Sequence, residues 1–138
     1  MDTLLVVDDP LVRDLVKVAL QQFPEVCVVH GRGHAGVDLA RGRQFDCVIV
    51  GGAPDAAAAT KLMRHLRSFD EDAALFVLAA GPAIKELAAD KSKYDVHAFL
   101  PTPLSVKELF GTIARFVERR SQSGRGSTPG VRPSLSVR

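Results

Sequence analysis

Short apolar runs alternate along the chain with longer stretches whose apolar residues recur every three or four positions. Thr3–Val7 (TLLVV) is short, continuous and β-branched, the pattern of a strand buried on both faces. Asp9 then Pro10 reads as a helix start. The carboxylate caps free N–H groups, and proline at the first helical position loses no hydrogen bond. Leu15, Val16, Ala19, Leu20 and Phe23 follow at helical spacing, and Pro24 stops that helix. Val26–His30 predicts a second strand, and His34 to about Gly42 a second helix. Asp46–Val50 predicts the third strand. Ala56–Phe69 follows as a helix with Leu62, Met63 and Leu66 on one face. Ala74–Ala79 is the fourth strand, and Ala83 to about Asp90 a short helix with few apolar residues. Val96–Leu100 is the fifth strand. Ser105 and Glu108 have the spacing of a capping box before a last helix reaching about Arg120. Leu109, Ile113, Phe116 and Val117 form its apolar stripe.

Five repeats of strand then helix imply an α/β fold: a five-stranded parallel sheet with helices on both faces and right-handed crossovers. Ligands of such sheets bind beyond the carboxyl ends of the strands. Candidate chemistry therefore belongs to residues 8–9, 30–36, 51–55, 79–82 and 101–103.

Composition narrows the class. With 138 residues, 46% hydrophobic and 25% charged, the chain predicts one soluble globular domain, residues 1–120. No apolar run approaches the roughly 20 residues of a membrane helix. The start, MDTLLVVDDP, lacks the basic segment of a secretory signal. Cys27 and Cys47 each lie in an apolar run and read as small buried hydrophobes. Together these features predict a cytoplasmic location. The first 120 residues carry 15 basic and 16 acidic side chains, a net of −1, whereas residues 121–138 carry three arginines and no acid. A near-neutral body argues against a nucleic-acid surface. The basic tail, with ten Ser, Gly or Pro among eighteen residues, is expected to be disordered.

The segments LLVVDDPLVRDLV, FDCVIV, LMRHLR and FLPTPLSVKEL carry a resemblance to the receiver domain of bacterial two-component response regulators, over about residues 3–120. The resemblance implies the flavodoxin-like strand order 2-1-3-4-5. It also implies phosphoryl transfer to an aspartate after the third strand. Two acidic residues would hold Mg²⁺, and a hydroxyl and a lysine would meet the phosphoryl oxygens. The acidic pair is present as Asp8 and Asp9. The acceptor position is Gly51, the hydroxyl position Ala79 and the lysine position Thr102, ahead of Pro103. Glycine offers no nucleophile, alanine no donor and threonine no cation. The Thr102–Pro103 bond is cis in the family pattern.

The sequence therefore resembles a pseudo-receiver that is not an enzyme. The resemblance implies a phosphorylation-independent module expected to act by protein–protein interaction in a bacterial signalling pathway. No cofactor is expected, and Mg²⁺ at Asp8 and Asp9 is weak at most. The resemblance places the interaction face on the fourth helix, fifth strand and last helix. The residues there are Ile84, Lys85, Phe99, Pro101, Val106, Lys107 and Phe110, with Phe99 at the family's aromatic switch position. Protein partners, a homodimer among them, are expected, and neither a membrane nor nucleic acid.

Two alternatives stand beside this reading. Asp55 is a displaced candidate acceptor, its bland role being an N-cap before Ala56; Asp46 lies at the wrong end of its strand. Gly31, Gly33 and Gly36 spell G-x-G-x-x-G between a strand and a helix, the pattern of a nucleotide-binding loop. It follows the second strand rather than the first, and the same glycines fit the receiver pattern. His30 and His34 are four residues apart with no third metal ligand nearby, and neither His65 nor His97 supplies one.

Overall fold

The computed structural model describes residues 1–52 and 55–126; the side chains of His34 and residues 121–126 lie outside that description. The chain divides into two units, Met1–Ser105 and a second beginning at Val106. The first unit contains β1 (Asp2–Val7), α1 (Pro10–Gln21), β2 (Cys27–Gly31), α2 (Gly33–Gly42) and β3 (Cys47–Gly51). It continues with α3 (Ala56–Arg67), β4 (Ala74–Ala80), α4 (Gly81–Leu87), a 3-10 turn (Ala88–Asp90) and β5 (Val96–Thr102). The second unit contributes α5 (Val106–Gly126). All strand pairings are parallel, in the order β2-β1-β3-β4-β5.

Strand alternation sorts the core. Leu4 and Val6 of β1, Val48 and Val50 of β3, and Leu75 and Val77 of β4 join one cluster with Val37 of α2, Leu62, Met63 and Leu66 of α3, and Leu87 of α4. The intervening positions, including Leu5, Val7, Ile49, Phe76 and Leu78, are buried toward the other face. Val16, Ala19 and Leu20 are the buried residues of α1.

Helix ends follow the local chemistry. Oδ1 of Asp9 accepts from the amides of Leu11 (2.9 Å) and Val12 (3.4 Å), with Pro10 in the first turn. Oδ1 of Asp55 accepts from the amide of Ala58 at 2.8 Å. Arg67, the last residue of α3, donates to three carbonyls, those of Tyr94 (2.8 Å), Asp95 (3.0 Å) and Asp70 (3.2 Å). One guanidinium fork thus fixes the approach to β5, where Asp95 has φ +50°.

Three sequence expectations change. β2 is an edge strand, so Cys27 is exposed rather than buried, while Cys47 in the interior strand β3 is buried as expected. The fourth helix starts earlier and splits, α4 giving way to the 3-10 turn. The last helix runs past Arg120 to Gly126, because adding residues to an existing helix gains one hydrogen bond for each residue fixed. The rest of the expected tail, residues 127–138, lies outside the described residues. Among the described residues, no helix is long and apolar enough to cross a membrane.

Candidate functional site

Sheet register brings the strand ends level. Val7 pairs with Gly51, Ala79 with Pro101, and Ala80 with Thr102. The residues after these strands meet at the carboxyl edge of the sheet around a cavity of about 260 Å³. Asp9, Val12, Gly52, Leu78, Ala79, Ala80 and Thr102 line it. Three of the positions singled out in the sequence, Asp9, Ala79 and Thr102, are therefore brought together. The Thr102–Pro103 bond is cis.

The remaining predicted residues are placed differently. Asp8 is exposed and does not line the cavity. Gly51 is buried, and a Cβ built on it would lie 3.1 Å from Cβ of Leu78. Gly52 has φ +78°, and its own Cβ would meet the backbone nitrogens of Asp8 at 2.9 Å and Asp9 at 3.0 Å. The chain after β3 is thus laid directly on the backbone of the acidic pair. Asp55 caps α3 outside the cavity, and Asp46, at the opposite end of β3, accepts from the amide of Asp2 at 2.8 Å.

The glycine loop has a packing explanation. A Cβ on Gly31 would lie 2.6 Å from Cα of Gly36, and one on Gly36 would lie 2.7 Å from the carbonyl carbon of Gly31. Gly33 takes φ +52°. The three glycines let α2 turn back tightly onto β2.

On the proposed interaction face, Lys85 and Pro101 are exposed, and Ile84 is half-buried. Phe99 is also half-buried and packs on the core cluster. In the second unit Lys107 is exposed, and Val106 and Phe110 remain 52% and 41% exposed at the start of α5.

Sequence reasoning missed Gly52, whose positive φ and close approach are signalled only by the Gly-Gly pair at the strand end. It also missed the contact between Nε2 of His65 and Oδ1 of Asp38 at 2.6 Å, which joins α3 to α2. Arg41 donates to the same oxygen at 3.0 Å. The hydrogen bond from His65 and then that from Arg41 hold the Asp38 carboxyl below its ordinary pKa. Burial pushes the Cys47 thiol well above its ordinary value.

No family model matches the chain, and no curated protein matches it. Solved structures do. The chemotaxis response regulator CheY4 of Vibrio cholerae matches with a TM-score of 0.68 at 17% identity, over 83% of this chain and 96% of that one. The signal receiver domain of an HD domain-containing protein from Pseudomonas fluorescens matches with a TM-score of 0.70 at 18% identity, over 88% and 90% of the two chains. The chain has the receiver fold. A protein from a family of streptococcal redox sensors evolved from two-component response regulators shares it, with a TM-score of 0.74 at 11% identity. That match covers 93% of this chain, which spans only 56% of the streptococcal protein's length.

The metal-dependent chemistry associated with the receiver fold can be tested against these residues. Mg²⁺ demands near-octahedral oxygen ligation. Here Oδ1 of Asp9 is occupied by two helix amides, and neither Gly51 nor Gly52 brings a carboxylate. Among the described residues, no three His, Cys, Asp or Glu side chains gather to hold a metal ion. The donor set does not fit the ion.

Proposed function

We propose that this chain is a signalling module that uses the receiver fold without phosphorylation and acts by protein–protein contact rather than as an enzyme. The observation that carries this reading is the packing of Gly52 on the Asp8 and Asp9 backbone. Beside it, Asp9 is the single carboxylate among the described residues that line the strand-end cavity, with Ala79 and Thr102. Acyl-phosphate formation needs a carboxylate nucleophile and cations to meet the developing charge. Among the described residues no cation lines this cavity, and Asp9 is engaged as a helix cap. The streptococcal redox sensors offer a precedent for a receiver scaffold turned to another use.

In this reading each unit offers a contact patch of its own. One is Ile84, Lys85 and Pro101, with the edge of Phe99; the other is Val106, Lys107 and Phe110 on the first turns of α5. Both mix apolar area with a lysine, which suits a partner with an apolar anchor and acidic rim.

The test is an amide-resolved NMR titration with Mg²⁺ followed by beryllofluoride, an acyl-phosphate mimic. Resonances of residues 8–9, 51–52, 79–82 and 99–102 are expected to stay in place. Saturable, concerted shifts there would overturn the proposal. Shifts accompanied by a phosphorylated Asp55 after acetyl phosphate treatment would identify the displaced acceptor.

A further inference from the structure

The sheet has two edges, and they are finished differently. β5 carries Pro101, which has no N–H to offer, and a bulge at His97, where Leu75 and Phe76 pair with Val96 and Ala98. β2 has neither. Its register with β1 is unbroken, and Cys27–Gly31 contains no proline and no lysine. The amide of Cys27 donates to the carbonyl of Met1 at 2.8 Å. In a parallel ladder the backbone groups of alternate residues point to opposite sides, so those of Cys27 and Val29 face β1. The N–H and C=O groups of Val28 and His30 point outward from the edge of the sheet. A groove of about 280 Å³ runs along this edge, between α1 and β2. Leu20, Val26 and Val28 form its apolar wall, and Lys17, Gln21 and His30 its polar rim. Among the described residues no carboxylate lines it, and the three rim side chains make no hydrogen bond or ion pair. α1 runs antiparallel to the strands, so Lys17 lies toward the His30 end of the groove and Gln21 toward the Val26 end.

We infer that the β2 edge is a docking site for an extended acidic segment of a partner protein, which adds to the sheet as a further strand. Backbone pairing with Val28 and His30 supplies the outward groups with partners, and the groove supplies the specificity. Residues directly opposite one another in a sheet share a face. The side chains opposite Val28 and His30 therefore fall on the α1 face, over the groove. An apolar side chain beside Val28 covers Leu20 and Val26. Two residues along, an acidic side chain beside His30 meets Lys17. Charge selects the occupant, because a rim with one ammonium and no carboxylate favours an acidic segment over a basic one. The strand itself, CVVHG, contains no acidic residue, so β2 of a second copy does not supply that group. The site shares no residue with the strand-end cavity or with the patches on α4, β5 and α5, and is independent of the proposed function.

The test titrates the isotope-labelled full chain with a blocked heptapeptide that has threonine at its odd positions, valine at the second and sixth, and glutamate at the fourth. The peptide reads the same in both directions, so it presents valine and glutamate two residues apart in either a parallel or an antiparallel pairing. Saturable amide shifts are expected at residues 17–21 and 26–31, with a dissociation constant of roughly 0.1–1 mM. The signature is alternate. Hydrogen exchange should slow several-fold at Val28 and His30, while Cys27 and Val29, already bonded to β1, should change little. Lys17→Glu should weaken binding about fivefold, and so should a lysine in place of the peptide's glutamate. Val28→Pro removes an outward N–H at an edge position that tolerates proline, and should abolish binding with its fold checked by circular dichroism. The absence of saturable shifts overturns the proposal. So does binding that leaves exchange at Val28 and His30 unchanged, which would mean a ligand lying in the groove without joining the sheet. So does slowed exchange there that grows with protein concentration in the absence of peptide, which would make a second copy the occupant. Equal binding of the glutamate and lysine peptides overturns the acidic selection.

Discussion

A Cβ on Gly52 would lie 2.9 Å from the backbone nitrogen of Asp8, closer than side chains approach backbone atoms in proteins. The contact binds the end of β3 to the end of β1, and with φ +78° it requires glycine twice over, for space and for conformation. Gly52→Ala is therefore expected to destabilise the protein by about 1–3 kcal/mol. Urea denaturation followed by circular dichroism measures it, and an unchanged midpoint would contradict this packing.

The two acidic residues beside that contact have separate roles. Asp9→Ala removes the α1 cap and is expected to cost about 1 kcal/mol. Asp8→Ala removes an exposed carboxylate that makes no hydrogen bond among the described residues and is expected to stay within about 0.5 kcal/mol of the wild type. Equal losses in the two variants would mean that the pair acts together.

Arg67 links the end of α3 to the segment before β5 through three carbonyls. Arg67→Ala leaves those acceptors without their charged donor, and a loss of about 2 kcal/mol is expected. Arg67→Lys should recover only part, since an ammonium lacks the planar fork. Hydrogen exchange supplies the local readout, with amides of residues 90–96 expected to exchange faster in Arg67→Ala.

The His65–Asp38–Arg41 contact gives a pH dependence of definite sign. Asp38 has a lowered pKa in the folded protein, so its contribution is complete above the ordinary carboxylate value near 4. It is lost as pH falls through the lower folded value. Asp38→Asn is expected to flatten the acid limb of stability below about pH 4. Urea midpoints measured from pH 6 down to about 2 would show it, and parallel curves for the two proteins would refute it.

The two thiols should differ sharply in reactivity. Cys27 is exposed on the edge strand; Cys47 is buried, with its thiol held protonated. One thiol is expected to react promptly with an aromatic disulfide reagent in the native protein, and two in urea. Rapid reaction of both in the native state would mean that β3 is not an interior strand.

The order of strands and helices was legible because it rests on local physics. Unbroken β-branched runs mark strands of an interior sheet, and Asp9–Pro10 and Asp55 mark helix starts through bonds two or three residues long. The residue types at Gly51, Ala79 and Thr102 were legible too, while the roles of those positions come from the resemblance alone. Which of those positions share one cavity was not. Strand order made β2 an edge and exposed Cys27, although its run reads much like that of Cys47. Register set Gly52 on Asp8, folding set Arg67 under Tyr94 and Asp95, and helix packing brought His65 to Asp38. These contacts join residues 27 or more apart in the chain. The sequence by itself determined the local periods and caps. The tertiary structure alone decided the long-range contacts, because they depend on which strands become neighbours, and periodicity within one segment carries no information about that.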